Sequence, residues 1–365
     1  MVNRPPVVDT IDAGTHPVVV GPDALLALER MLQDTDPTTC FVLGDENTLR
    51  QCLPELLAHV PKLRDAAPIG IAPGERSKSM EVCGDIWRYL TEQAADREAL
   101  LVTLGGGVVS DLGGFVAGTF KRGIRCVHVP TSLMAMVDAA IGGKTGIDHA
   151  GVKNNVGLYH DPLGVYVHAP FLRTLGKREL LNGVAEMVKH GLVRDAAHWS
   201  EVTNAPLHDL EALGRLVAAS ARVKASLVKE DPRERDSRKL LNFGHTIGHG
   251  LEAFSWEGEQ RALLHGEAIA IGMICETWLS WRTGTLDREA NDAISHFLLD
   301  LYKPFRLHGS AAHRIIELMR NDKKNVAGQF RFTLLTGIGQ ARTDVPLSAA
   351  QVLEALDHYR LLAEG

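Results

Sequence analysis

The chain of 365 residues is 45% hydrophobic and 23% charged, which supplies a sizeable core, suits two domains and excludes a disordered or fibrous protein. Its 39 basic and 45 acidic residues leave a net charge of −6, with no run of one sign, so neither nucleic acid nor an anionic membrane is indicated as a general partner. No stretch reaches the ~18 to 20 consecutive apolar residues of a membrane span, and MVNRPPVVDTIDAG lacks the layout of a signal peptide, so a cytoplasmic location is expected. Cys40, Cys52, Cys83, Cys126 and Cys275 are odd in number, scattered and without a C-x-x-C pair; neither a disulfide framework nor a thiolate zinc site follows from them.

In chain order, β-rich runs alternate with amphipathic stretches. ALLALERMLQ after Pro22 reads as helix, and TCFVL (39–43) and PIGIA (68–72) read as strands. KSMEVCGDIWRYLTEQAA from Lys78 reads as helix, and LLVTL (100–104), RCVHVP (125–130) and GVYVH (164–168) as strands. Such alternation predicts β-α-β units and a largely parallel sheet. After about Phe171 long segments of helical period follow one another, from Lys177, Leu210 and Gly266, with a possible hairpin at FRFTLLTGIG from Phe330. We therefore expect an α/β chain with an N-terminal Rossmann-like parallel-sheet domain over 1–170. A predominantly α-helical domain over 171–365 follows, with the active site in the cleft between them.

Three segments carry chemistry. LVTLGGGVVSDLGGF (101–115) ends a strand in three glycines and opens a helix, so backbone N–H groups can approach a diphosphate. Ser110 stands where a G-x-G-x-x-G pattern needs its third glycine, and three glycines after a strand can also be only a tight turn. PTSLMAMVDAAIGGKTGIDHAGVKNNVG (130–157) sets Thr131, Ser132, Asp138, Lys144, Lys153, Asn154 and Asn155 among small residues, and Lys144 after Gly142-Gly143 suggests a phosphate-facing loop. In RKLLNFGHTIGHGLE (238–252), Arg238, Asn242, His245 and His249 lie four, three and four apart, one polar stripe on a continuous helix. Leu241, Phe243, Ile247 and Leu251 flank that stripe, and a buried polar stripe needs partners that a metal or ligand can supply.

His245 and His249 have the i, i+4 spacing of a zinc pair, yet HTIGH lacks the glutamate of H-E-x-x-H, which argues against peptidase chemistry. His265 in LLHGEA and Glu186 in GVAEMVKHG are candidates to complete a Glu/His/His site with an open position. In a chain with 16 histidines spacing alone does not choose among them, and His160, His168, His190, His198 and His208 have no such context.

Together GGGVVSDLGGF, VPTSLMAMVDAAIGGKTGID, KNNVG, GVAEMVKHG, LLNFGHTIGH and LLHGEAIAIGM resemble, in order and approximate spacing, the 3-dehydroquinate synthase family, from about Asp45 to Lys324. The resemblance implies an NAD-dependent cytoplasmic lyase using one divalent ion, zinc or cobalt, and commonly a homodimer. Its substrate would be 3-deoxy-D-arabino-heptulosonate 7-phosphate (DAHP), converted to 3-dehydroquinate and inorganic phosphate in the shikimate pathway of aromatic amino acid biosynthesis. It implies Glu186, His245 and His265 as metal ligands and His249 as a substrate-contacting, proton-relaying residue. NAD contacts would come from Asp45, Asn47, Glu75, Lys78, Gly106, Gly107, Asp111, Thr131, Ser132, Lys144, Lys153, Thr174 and Glu179. Asp138, Lys144, Lys189 and His249 would be catalytic. Asn154, Lys224, Arg238, Asn242, Lys323 and Lys324 would bind substrate, with Arg122 in TFKRG lent to the neighbouring subunit's phosphate site.

By the same resemblance NAD transiently oxidises the C5 hydroxyl, phosphate leaves by β-elimination, the hydride returns and an intramolecular aldol closes the ring. Two departures stand out: the GDEN form of residues 44–47, and a long segment between His249 and His265. The competing readings are another sugar phosphate cyclase acting on sedoheptulose 7-phosphate or glucose 6-phosphate, a metal-dependent polyol dehydrogenase, and a non-catalytic NAD- or metal-binding protein. Arg238, Asn242 and the double lysine, suited to a substrate carboxylate, favour the synthase.

Overall fold

The computed structural model describes residues 7–150, 152–207, 209–258, 260–320 and 330–364. In chain order its main elements begin with β1 (Asp9–Asp12), β2 (Pro17–Val20), α1 (Ala24–Thr35), β3 (Cys40–Asp45), α2 (Glu46–Gln51), α3 (Leu53–His59), β4 (Ala67–Ile71) and α4 (Met80–Glu92). They continue through β5 (Leu100–Gly105), α5 (Gly107–Thr119), β6 (Arg125–Pro130), β7 (Lys144–His149), β8 (Val152–Tyr159), β9 (Val165–Val167), α6 (Lys177–Arg194), α7 (Ala196–Asn204) and α8 (Leu210–Glu230). The chain closes with α9 (His245–Ser255), α10 (His265–Arg282), α11 (Arg288–Leu301), α12 (Ala311–Met319), β10 (Phe330–Gly337), β11 (Gln340–Leu347) and α13 (Ala349–Glu364). Two compact units form, Met1–Leu180 with Pro206–Pro232, and Leu181–Ala205 with Arg233–Gly365. Among the described residues no helix is long and apolar enough to cross a membrane.

In the first unit, seven strands line up as β1-β2-β9-β6-β5-β3-β4, all pairs parallel except β1 with β2. β5 is buried at every residue, as a strand covered on both faces must be, and this is why LLVTL shows no alternation. Phe41, Leu43, Ile86, Leu101, Leu112 and Val116 form its core against α4 and α5. The order reverses at β3 and β5: from β3 the chain moves outward to β4, and from β5 it moves the other way to β6. Their carboxyl ends, Asp45 and Gly105, flank the switch point at which open α/β sheets bind ligands. The 130–157 segment departs from the expected loop. It forms a π-helical turn at Ala135–Ala139 and then the antiparallel β7–β8 hairpin, with Lys144 opening β7.

In the second unit α10 packs against α9, α11, α13 and β10, and α12 packs against α9. The β10–β11 hairpin is present from Phe330 as expected, with two register shifts. The single helix expected over 238–252 is not formed. A 3-10 turn covers Ser237–Asn242, Gly244 takes φ +78°, and α9 starts only at His245. At about three residues per turn Arg238 and Asn242 diverge by about 120° instead of sharing a face, and the left-handed glycine re-aims the chain between them and the histidines.

Candidate active site

Glu186 on α6, His245 and His249 on α9 and His265 on α10 meet within the second unit. Glu186 is fully buried; Lys189 Nζ forms an ion pair with its Oε2, and among the described residues Oε1 has no hydrogen-bond partner. Its Oε1 lies 3.7 Å from His245 Nε2 and 3.8 Å from His265 Nε2. Those separations are too long for hydrogen bonds. They are close to the about 3.4 Å expected between two ligands each ~2.1 Å from one tetrahedral ion. The Lys189 ammonium meets only one oxygen of this buried carboxylate, while Oε1 faces two imidazole nitrogens, an arrangement that a divalent cation would complete. The residues therefore fit a metal. His245, His249 and His265 can also bring ligand atoms within 4.8 Å of one another, so geometry alone leaves His249 as a third imidazole at the site.

Close helix contacts bring these side chains together. A Cβ on Gly266 would overlap the Asn182 carbonyl oxygen, and one on Gly272 would overlap that of Gly244. Only glycine lets α10 approach α6 and α9 this closely. Asn182 Oδ1 accepts from Gly266 N at 2.6 Å, which ties the start of α10 to α6. Burial raises the Tyr302 pKa well above the usual phenol value, the charges of Glu186 and Glu267 adding to it.

Two further buried carboxylates support the arrangement, Glu252 behind His265 and Glu276 at the start of α9. His265 Nδ1 donates to Glu252 Oε2 at 3.0 Å, and His245 Nδ1 donates to the Phe243 carbonyl at 3.1 Å. Glu276, fully buried, accepts from Gly244 N at 2.7 Å and Ile247 N at 3.2 Å, capping the start of α9. Glu252 could have been found from its seven-residue separation from His245, two helical turns along one face. Glu276 lies in an apolar helix and nothing local marks it.

Of the anticipated substrate residues, Lys189 is buried beside Glu186, and Arg238 is 1% exposed. Asn242 Nδ2 donates to Glu234 Oε1 at 2.9 Å. Lys323 and Lys324 lie outside the described residues. In the first unit Lys224 Nζ donates to Asp138 Oδ1 at 2.6 Å.

Of the anticipated nucleotide residues, Asp45 ends β3, and Gly106 and Gly107 follow the end of β5. Asp45 accepts from the backbone N–H groups of Asn47 at 2.8 Å and Thr48 at 2.9 Å, capping α2. No side chain caps α5, whose first residue is Gly107, leaving its N-terminal donors for an anion. A Cβ on Gly106 would stand 3.1 Å from Ser132 Oγ, and one on Gly107 3.2 Å from Ala139 Cβ, while Thr131 N donates to Gly105 O at 2.9 Å. Lys78, buried, donates to Asp111 Oδ2 at 2.8 Å and to Asn154 Oδ1, and lies 3.4 Å from Glu75 Oε1. Burial works to lower the Lys78 pKa, but Asp111 and Glu75 outweigh it and hold the ammonium above the ordinary lysine value. Burial raises the Asp111 carboxyl, against the pull of Lys78. Lys144 and Lys153 are exposed on β7 and β8. Thr174 donates to the Phe171 carbonyl at 2.8 Å, and Glu179 and Arg122 are exposed.

The chain matches the family model described as 3-dehydroquinate synthase N-terminal over residues 68–182, and the one described as C-terminal over 183–325. A curated 3-dehydroquinate synthase of Parabacteroides distasonis is 39% identical over 348 residues, covering 94% of this chain and 97% of the relative. Among solved structures, 2-deoxy-scyllo-inosose synthase with carbaglucose-6-phosphate, NAD+ and Co2+ has a TM-score of 0.85 at 22% identity, covering 96% of this chain and 100% of that one. The 2-epi-5-epi-valiolone synthase of Streptomyces hygroscopicus subsp. jinggangensis 5008, with NAD+ and Zn2+ bound, has a TM-score of 0.82 at 25% identity and covers 99% of both chains.

Proposed function

The chain belongs to the 3-dehydroquinate synthase family, and from that premise we propose that it converts DAHP to 3-dehydroquinate and inorganic phosphate, a carbon–oxygen lyase of the shikimate pathway. The observation that carries the reading is the buried Glu186 carboxylate, paired with Lys189 through Oε2 and presenting Oε1 to Nε2 of His245 and His265. Glu186, His245 and His265 hold one divalent ion, zinc or cobalt. NAD is held by Asp45, Asn47, Glu75, Lys78, Gly106, Gly107, Asp111, Thr131, Ser132, Lys144, Lys153, Thr174 and Glu179. We assign NAD to residues 1–170 and metal and substrate to 171–365, with further substrate contacts from the first segment. When bound, the nicotinamide would supply a temporary hydride acceptor and the ion a Lewis acid.

The protein's own residues bind, orient and move protons. His249 exchanges the proton of the substrate hydroxyl; its ring stands beside those of His245 and His265, 5.2 and 5.8 Å between centroids. Lys189, Lys144 and Asp138 complete the catalytic set, and the Lys224–Asp138 ion pair presents a cation whose charge is already balanced. Arg238, Asn242, Lys323 and Lys324 meet the carboxylate end and Asn154 the phosphate end; cationic and amide donors suit both anions. The enzyme works as a cytoplasmic homodimer, each subunit lending Arg122 to the other's phosphate site. Its exposure supports a side chain available to a neighbour, and five free cysteines accord with a reducing compartment.

The test is substrate choice. Purified protein with NAD and Co2+ should release phosphate from DAHP and not from sedoheptulose 7-phosphate. Release from the heptulose phosphate alone would move the chain to another cyclase activity.

A further inference from the structure

We infer that Glu252 is a positioning residue that holds His265 in its metal-binding tautomer, an inference that rests on Glu186, His245 and His265 being the ligands. Glu252 is 5% exposed and its Oε2 is 3.0 Å from His265 Nδ1. A carboxylate only accepts, so the proton sits on Nδ1 and the lone pair on Nε2 points toward Glu186, 3.8 Å away. The two ligand imidazoles are held differently. The acceptor behind His245 is the Phe243 carbonyl, which no side-chain change removes, whereas the acceptor behind His265 is a charged side chain. His265 needs that hold more, because its side chain is 32% exposed against 11% for His245.

The surroundings keep Glu252 in place. Ser255 Oγ donates to the Glu252 carbonyl at 2.7 Å and accepts from Leu263 N at 3.0 Å, tying the end of α9 to the approach to α10. Glu267 accepts from Leu264 N at 2.8 Å, which sets the first turn of α10, where His265 stands. An anionic acceptor behind a ligand imidazole fixes the ring and strengthens its donation; losing such a partner lowers metal affinity by about 10- to 100-fold.

The experiment measures Kd for Zn2+ by competition with a chromophoric chelator, and the visible spectrum of the Co2+ form, both without NAD or substrate. The proteins are the parent, Glu252→Ala, Glu252→Gln and His265→Ala. Glutamine keeps the size and an acceptor oxygen but not the charge, so it should fold even if the alanine variant does not. We expect Kd to rise about 10- to 100-fold in Glu252→Ala and by a smaller factor in Glu252→Gln, with an altered Co2+ spectrum in both and metal-free Tm close to the parent's. Parental Kd and spectrum in Glu252→Gln and Glu252→Ala, or in Glu252→Gln alone if the other fails to fold, would overturn the inference, as would a loss of Tm with Kd unchanged. Retention of metal by His265→Ala would instead overturn the ligand set on which the inference rests.

Discussion

Asn242 donates from Nδ2 to Glu234 Oε1 at 2.9 Å, and an aspartate in its place would set two carboxylates against each other where an amide now donates. It would also repel a substrate carboxylate that the amide can meet. Losing one charge-assisted contact costs about 1.5 to 3 kcal/mol, roughly ten- to over a hundred-fold in catalytic efficiency. Asn242→Asp should therefore retain bound metal and NAD, lose DAHP turnover by that factor, and bind a carboxylate-free heptulose phosphate without comparable loss. Parental kcat/KM on DAHP would show the carboxylate to be met elsewhere. At this scale Glu186, His245, His249 and His265 were legible as candidates, because ligating side chains stand out among apolar neighbours, but spacing did not choose among them. The geometry linking Arg238 to Asn242 was not legible, because the same spacing serves an α-helix and a 3-10 turn equally, and Gly244 decides between them only through its backbone angle.

Helices α6, α9 and α10 bring the ligands together only because glycines let them touch. A methyl at Gly266 would press on the Asn182 carbonyl, and overpacking of that kind costs about 1 to 3 kcal/mol. Gly266→Ala should accordingly lower Tm by a few degrees and weaken Zn2+ binding, read by calorimetry and chelator competition. A variant with parental metal affinity would mean that the α6–α10 spacing does not set the site. The strands were read well where both faces are buried: 100–104 was expected against Leu100–Gly105, and 125–130 against Arg125–Pro130. The β7–β8 hairpin was missed for the opposite reason. From Val152 to Asn155 β8 exposes every residue, so no alternation of apolar and polar side chains announces it.

The whole molecule adds relations that no single segment contains. α8, with Leu213, Leu216, Val217 and Val228 buried, groups with the first unit although α7 before it and α9 after it belong to the second. An amphipathic stripe states that a helix is covered, not by what. Sharing of sites between subunits belongs to this scale too. If Arg122 serves the neighbouring subunit, mixed Arg122→Ala and Lys189→Ala proteins should recover activity, since a hybrid dimer holds one site with both residues intact. Absence of recovery, with subunit exchange verified by mass spectrometry, would place Arg122 outside any shared site. The central claim, a synthase that uses NAD without consuming it, is met most directly by supplying NAD far below the DAHP concentration, with Zn2+ or Co2+, and following three signals together. Phosphate and 3-dehydroquinate should appear in equal amounts over many turnovers of the cofactor, with no accumulating nicotinamide absorbance. Product limited to the NAD supplied, with NADH building up in step, would contradict the account and make the chain a dehydrogenase.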